Sequence, residues 1–213
     1  MYPLTVTLAA LFSNASLALT PVNGPNVPYS AAFAGMSPTI VIAGSQTMST
    51  YCKDRERVLL TNQLAIGHWW KSQSLKAGVM PKSSTSTHNP RLIYTYDSTA
   101  ASTVPLPPHE LFNLRIFTGA RLIYAFTDSH VAGAVSQTNM LDYRNLEKTQ
   151  DGNSHFGPPL SCVEIKLKEN EDRKAGDSRP MGQLVVSGPA VVGGQVVADQ
   201  VMALTDENTL IYP

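Results

Sequence analysis

The first 52 residues of this chain contain no lysine, arginine, aspartate or glutamate, and the first charged side chain is Lys53. An ordinary surface helix carries charged side chains on its solvent face, so this stretch does not fit one. Parallel strands covered by helices form uncharged apolar runs, because both of their faces are buried. We therefore expect residues 1–52 to lie inside an α/β layer.

A secretory signal or a transmembrane helix would account less well for the uncharged segment. A secretory signal begins with positive charge before its apolar stretch, and this chain has none there. A transmembrane helix needs about 18 or more consecutive apolar residues. Polar residues between Thr5 and Thr20 interrupt every apolar run.

The composition of the whole chain is that of a folded domain, with 43% hydrophobic and 15% charged residues. Its 16 basic and 16 acidic side chains cancel, so we expect no basic field that would attract nucleic acid or an acidic membrane. Cys52 and Cys162 lie far apart and lack metal-ligand spacing. We expect buried thiols in a reducing compartment, and hence an intracellular, cytoplasmic or organelle-associated protein.

Apolar periodicity predicts alternating short helices and strands in the first part of the chain, at residues 4–12, 16–20, 29–36 and 37–43. Ser45 is a suitable N-cap for a long helix over about residues 46–70. Further on, the pattern predicts a loop over residues 76–90 and a strand over residues 91–96. A helix then begins at Pro107 or Pro108 and runs to about Phe117, where Gly119 ends it. Another strand follows over residues 120–126. This order predicts a mostly parallel sheet layer with flanking helices.

The pattern changes after Asp142. Residues 161–167 alternate between apolar and polar, which predicts a half-exposed strand, and residues 182–188 predict a second strand before a turn. We therefore divide the chain into an α/β subdomain over residues 1–145 and a small, distorted β-barrel lobe over residues 146–213.

The most informative motif, Tyr124-Ala-Phe-Thr-Asp128, follows a buried strand. An aromatic face can stack on adenine, a threonine hydroxyl can bond phosphate, and a carboxylate can hold Mg²⁺. His130 follows closely enough to line such a site. Taken alone the motif is weak, because most tyrosines and threonines at strand ends have no catalytic role.

Three further elements accompany this motif. Glycines recur at Gly182, Gly188 and Gly194 around the second predicted strand of the lobe, where they permit turns and close backbone approach. The segment 155–167 leads into the lobe. Upstream, the strand at residues 37–43 and the strand ending in Thr95-Tyr96-Asp97 precede helices.

In this order and spacing the elements resemble the AMP-binding, adenylate-forming superfamily, and its acyl-CoA synthetases in particular. The resemblance covers nearly the whole chain. That family has Tyr-Gly-x-Thr-Glu at the strand end and Gly-Glu-Leu at the start of the lobe strand. This sequence departs from it at Ala125, Asp128 and Gln183.

The resemblance implies a role for each matching residue. Thr127 and Asp128 would be catalytic, Thr127 through phosphate and Asp128 through Mg²⁺, and Tyr124 would stack on adenine. The turn Thr95-Tyr96-Asp97 would lie against adenine, and Asp199 would hold the ribose hydroxyls. The implied cofactors are ATP or AMP and Mg²⁺.

The same resemblance implies that the intact protein activates a carboxylic acid, with fatty acids among the candidates. CoA or a similar acceptor would then receive the acyl group. The acid would enter near the strand end at residues 37–45 and the small residues 132–134. It implies no nucleic-acid partner and no transmembrane segment. It leaves peripheral contact with a membrane open. The sequence contains no Ser-Gly-Thr-Thr-Gly phosphate loop. We therefore expect either a fragment of a longer protein or a truncated gene product, in both cases inactive alone. A degenerate, non-catalytic binding or scaffold module with the same fold, or an unrelated α/β domain, are the alternatives.

Overall fold

The computed structural model describes residues 2–20, 36–61, 65–82, 90–98, 105–142, 154–168 and 180–213. The helices among them are α1 (Tyr2–Phe12), α2 (Ser45–Thr61), α3 (Ala65–Lys76) and α4 (Pro108–Thr118). The strands are β1 (Ile40–Gly44), β2 (Leu92–Ser98), β3 (Arg121–Thr127), β4 (Ala134–Gln137), β5 (Glu164–Lys168), β6 (Met181–Ser187), β7 (Gln195–Leu204) and β8 (Leu210–Ile211). They form two four-stranded sheets, β1-β2-β3-β4 and β5-β6-β7-β8.

The first sheet is mixed. Strands β1, β2 and β3 are parallel, as the sequence predicts, whereas β4 runs antiparallel to β3. The four-residue strand β4 was not predicted, because so short a run of small residues carries no clear period. Helix α4 begins at Pro108 and ends where Gly119 adopts a left-handed φ of 64° and donates its N–H to the Arg115 carbonyl. Both predicted ends of this helix are confirmed.

The uncharged N-terminal segment is not buried on both faces, which corrects our prediction. β1 is an edge strand, and Ile40 and Ile42 are exposed while Val41 is buried. The outer face of α1 is exposed as well, and Phe12 is 97% accessible. Among the described residues, β1 has a neighbouring strand on one side only. Lack of charge allows a segment to be buried, but it does not show that other elements cover it.

The other predicted elements of the N-terminal part fare differently. Residues 15–20 are irregular and exposed, so the predicted strand over residues 16–20 is wrong. The predicted long helix over residues 46–70 is helical in its described parts, α2 and α3, and residues 62–64 between them lie outside the described residues. The predicted helix over residues 29–36 also falls on residues outside the described part, except for Met36.

The second sheet is an antiparallel, curled half-barrel, which confirms a β lobe after the α/β layer. Both sheets contribute to one hydrophobic core, in which Tyr124 and Phe126 of β3 lie with Phe156, Leu184 and Met202. The division of the chain near residue 145 stays a prediction.

The helices and the two cysteines can be compared with their predictions. Among the described residues, none of the helices combines the length and the apolar character that crossing a membrane requires. Cys52 and Cys162 are free thiols. Cys52 is buried as predicted, but Cys162 is only partly buried, which corrects the expectation for that residue.

Candidate functional site

The carboxyl ends of β2 and β3 bring most of the predicted site residues together. Their parallel register pairs Thr95 with Tyr124 and Asp97 with Phe126. Because side chains alternate along a strand, these four residues share one face of the sheet, whereas Tyr96 lies on the other face. This shared face is the one that meets the β lobe.

Asp97 is the centre of a buried hydrogen-bond network on this face. Its carboxylate, on a residue that is 1% exposed, accepts hydrogen bonds from the hydroxyls of Ser45 and Tyr124. Its backbone carbonyl accepts a third from Thr127 Oγ1 at 2.7 Å. The Leu106 N–H donates to the Tyr124 hydroxyl at 3.0 Å. The network therefore ties α2, β2 and β3 together at the predicted site.

The ring of Tyr124 is fully buried and packs on Phe156, which belongs to an aromatic cluster. Its centroid lies 4.6 Å from that of Phe156, which in turn contacts Phe126 at 5.2 Å and Tyr212 at 5.3 Å. Burial, followed by the charge and the hydrogen bond of Asp97, raises the pKa of Tyr124 well above its ordinary value. In this conformation Tyr124 therefore presents a neutral phenol with no exposed face, and its stacking on adenine stays a prediction.

Asp128 lies in the loop between β3 and β4 and is 5% exposed. Its Oδ1 accepts a hydrogen bond from the His130 N–H at 2.7 Å and lies 3.0 Å from His130 Nδ1. The Val192 N–H donates to the His130 carbonyl, and the Ala132 N–H donates to the Ala190 carbonyl, each at 2.8 Å. The glycine-rich turn of the lobe is thus fixed against the Asp128 loop, so the structure joins two motifs that are far apart in the sequence.

The residues around Asp128 are compatible with Mg²⁺ held chiefly by a substrate. Among the described residues, no cluster of three or more His, Cys, Asp or Glu side chains could hold a metal ion. Mg²⁺ commonly keeps several waters and binds through one or two carboxylates together with substrate phosphates. A single carboxylate at Asp128 fits that pattern, and its role as a ligand stays a prediction.

The other predicted residues are placed differently. Thr95 is fully buried, and its hydroxyl has no hydrogen-bond partner within the described residues. Tyr96 is half-buried and packs with Ala125 on the α1 side of the sheet. Asp199 is exposed in β7, next to the buried Ala198. The side chain of Tyr96 lies on the face opposite the Asp97 carboxylate, and the roles of Thr95, Tyr96 and Asp199 stay predictions.

Helix α1 covers the small-residue segment where the sequence analysis expects the acid substrate. Thr5 Oγ1 donates a hydrogen bond to the Ala132 carbonyl at 2.6 Å. Val6 packs against Ala125 and Ala134, together with the ring of Tyr96. The N-terminal helix therefore lines the segment where the acid is expected, although the sequence gives no signal for the contact.

Two other participants in the site were not predicted from the sequence. Ser45 was predicted to cap a helix at the end of the strand near the acid, but its hydroxyl is bonded to Asp97. Phe156 was noted only as part of the lead into the lobe, yet it is fully buried against Tyr124. For Ser45, its position directly after a predicted strand of a parallel sheet was a signal for its place at the site edge, although not for its bond to Asp97, because parallel strands end at the same edge.

A small cleft of about 20 Å³, roughly the room that one water molecule needs, lies on the α4 side of Tyr124. Arg115, Asp142 and His155 are among its lining residues. His155 Nε2 lies 3.6 Å from Asp142 Oδ2, and His155 Nδ1 accepts a hydrogen bond from the Gly157 N–H at 3.1 Å. The proton of a neutral His155 therefore lies on Nε2, facing Asp142.

No family model matches this sequence, and no curated protein matches it. Solved structures of CoA ligases do match its fold. The O-succinylbenzoate CoA synthetase MenE of Bacillus subtilis aligns with 97% of this chain and 38% of its own, with a TM-score of 0.58 at 13% identity. The N-terminal domain of FACL13 from Mycobacterium tuberculosis aligns with 99% of this chain and 47% of its own, with a TM-score of 0.59 at 11% identity.

A third similar structure is the anthranilate CoA ligase AuaEII in complex with anthranoyl-AMP, with a TM-score of 0.58 at 15% identity. It covers 92% of this chain and 33% of its own length. The chain thus spans about a third to a half of each of these structures. It has a fold like that of part of an adenylate-forming CoA ligase, and at these identities the likeness extends to the fold alone.

Proposed function

We propose that this chain is part of an adenylate-forming ligase of the acyl-CoA synthetase kind. The longer protein would activate a carboxylic acid with ATP as an acyl-adenylate and transfer the acyl group to CoA or a similar acceptor. The observation that carries this proposal is the fold match with CoA ligases over nearly the whole chain. The Bacillus subtilis structures include complexes with AMP and with ATP and magnesium, which supports a nucleotide as the cofactor here too.

In this proposal the side chains at the ends of β2 and β3 form the nucleotide site. Thr127 would bond phosphate and Asp128 would hold Mg²⁺, which supplies charge neutralisation when bound. Asp97 would orient Tyr124 beside adenine through the hydrogen bond between them. Asp199 would reach the ribose from the lobe. The acid would lie near Ala132–Ala134, beside α1.

The enclosed ring of Tyr124 favours a second candidate function. Phe156 packs on this ring, and Asp97 and Leu106 satisfy its hydroxyl. The space that the resemblance assigns to adenine is therefore filled by side chains in this conformation. A non-catalytic scaffold or binding module that keeps the ligase fold would have this arrangement permanently.

Thermal unfolding with ligands distinguishes the two candidates. The folded chain is heated with ATP and Mg²⁺, with AMP, and with a non-hydrolysable acyl-adenylate mimic. A ligand at a hundred times its Kd stabilises the native state by about 2.7 kcal/mol, which raises the Tm of a chain this size by several degrees. Asp128→Asn should abolish the Mg²⁺-dependent part of the shift, and GTP serves as the control nucleotide. A Tm unchanged by all three ligands would leave the scaffold as the function.

A further inference from the structure

Helix α3 turns an apolar face toward solvent. Trp69 and Trp70 are 54% and 66% exposed, and Ile66 is 74% exposed. Residues spaced by three and four positions lie on one helix face. On the opposite face Leu75 is 1% exposed and packs in a cluster with Phe112 of α4. The packing of α3 against α4 therefore fixes the outward direction of this tryptophan face, defined as Ile66, Trp69 and Trp70.

The tryptophan face is more than scattered exposed apolar residues. The two indole rings contact each other edge to face, with centroids 5.2 Å apart and planes at 77°. Single exposed apolar side chains are ordinary on protein surfaces, whereas contiguous ones mark binding surfaces. Tryptophan is enriched where one side of the ring meets apolar material and the other meets water, as at the head-group level of a bilayer.

Charge is distributed unevenly along the chain, and helix α3 itself carries Lys71 and Lys76 and no acidic side chain. Residues 45–82 contain six basic and two acidic side chains, a net charge of +4, and residues 1–44 contain no charged side chain. Residues 83–213 contain ten basic and fourteen acidic side chains, a net charge of −4. The overall neutrality that led us to expect no basic field therefore conceals a separation of charge along the chain.

Some of this positive charge is already paired. Lys53 lies 3.7 Å from Glu110, and Arg57 lies 3.6 Å from Asp54. Lys76 stands in the last turn of α3 and is exposed. It follows Trp69 by seven positions, two helical turns, so it lies on the rim of the tryptophan face.

We propose that the tryptophan face, with Lys76 at its rim, docks this chain on the surface of an anionic lipid bilayer. The two indole rings enter the head-group region, and Lys76 at the rim of the face lies against anionic head groups. Helices that lie in a membrane interface combine these features, a Trp-bearing apolar face with basic residues beside it. This docking does not depend on the proposed ligase function.

Trp69 and Trp70 are the only tryptophans of the chain, so its intrinsic fluorescence reports on this face alone. The full chain is mixed with vesicles of phosphatidylcholine, and with vesicles that also contain phosphatidylserine. We expect a blue shift of tryptophan emission and co-sedimentation with the anionic vesicles, both reduced by high salt. Absence of both changes on anionic vesicles overturns the proposal, and equal binding to neutral vesicles overturns its anionic part.

Variants locate the contact. The double variant Trp69→Ser/Trp70→Ser should lower vesicle partitioning at least about tenfold. Partial burial of two indole rings in the bilayer strengthens binding by more than a factor of about ten. Lys76→Gln should lower it about fivefold. Val192→Ser and Val197→Ser remove exposed apolar side chains from the lobe and should change nothing.

Circular dichroism checks that each variant is folded, and the single variants Trp69→Phe and Trp70→Phe keep an aromatic ring if the double variant unfolds. These single variants should keep most of the binding. If the chain instead self-associates without vesicles, and the tryptophan substitutions abolish that association, the face binds protein and the membrane proposal is wrong.

Discussion

The hydroxyl of Tyr124 donates a hydrogen bond to the carboxylate of Asp97, a residue 27 positions earlier in the chain. The parallel register of β2 and β3 makes this possible, because it pairs Asp97 with Phe126, two residues beyond Tyr124 on the same face. Ser45, at the start of α2, donates to the other oxygen of the same carboxylate. One buried side chain thus connects three elements at the candidate nucleotide site.

Substitution of Asp97 should destabilise the protein strongly. Asp97→Ala leaves the buried hydroxyls of Ser45 and Tyr124 without their acceptor, and each unsatisfied group costs about 1–3 kcal/mol. We expect the free energy of unfolding, measured with urea, to fall by about 2–5 kcal/mol. The exposed Asp199→Ala is the matched control, with a change within about 0.5 kcal/mol. Equal, small losses for both variants would mean that the network contributes little.

Stability should fall in alkaline solution because of the same tyrosine. Burial and Asp97 raise the pKa of Tyr124 in the folded state, whereas an unfolded tyrosine titrates near about 10. Its contribution is therefore fully present below about pH 10 and is lost as the pH rises above that value. The free energy of unfolding should decline by up to about 1.4 kcal/mol per pH unit from this residue.

Urea unfolding at several pH values, with tyrosinate absorbance as a second readout, measures this decline. Tyr124→Phe lowers stability at neutral pH through its lost hydrogen bonds, so the comparison uses the slope with pH and not the absolute value. The variant should show a shallower slope than the parent chain. An unchanged slope would show that Tyr124 ionises as readily in the folded chain as in the unfolded one.

Local pattern and turn chemistry predicted much of this fold, for reasons visible at particular residues. Strand β3 follows a proline-opened helix that Gly119 ends, so its position and type were clear. Burial was predicted poorly at β1, because an uncharged apolar sequence looks the same whether neighbouring elements cover the strand or leave it at the edge of the sheet. The Asp97 carboxylate was predicted near adenine, but its bond to Ser45 requires the register between strands, which a single sequence does not contain.

Cys52 and Cys162 should react at very different rates. Burial, reinforced by Glu56 and Glu110, raises the pKa of the Cys52 thiol far above its ordinary value, so almost no thiolate forms at neutral pH. Cys162 is partly exposed at the edge of the lobe. In native buffer a thiol reagent should modify one cysteine per molecule, and peptide mass spectrometry should identify it as Cys162. Cys52 should react only after denaturant is added, and its rapid labelling in the native chain would contradict its burial between α2 and α4.

Two glycines with the same backbone angle separate the effect of strain from that of space. Gly157 has φ +77° and Gly193 has φ +78°, a region that side chains disfavour by roughly 1–2 kcal/mol. A Cβ at Gly157 would lie 2.2 Å from the Gln137 carbonyl oxygen, whereas a Cβ at Gly193 meets nothing within 4 Å. Gly193→Ala should therefore lower the free energy of unfolding by about 1–2 kcal/mol, the cost of the angle alone.

Gly157→Ala should cost more than about 4 kcal/mol or prevent folding, because backbone must move on both sides of the contact. That contact joins the residue after Phe156 to the end of β4, so its loss should also loosen the packing of Phe156 on Tyr124. Urea unfolding of the two variants, with near-ultraviolet circular dichroism of the aromatic cluster as a second signal, makes the comparison. Similar losses for both variants would mean that the backbone at Gly157 is not in close contact with β4.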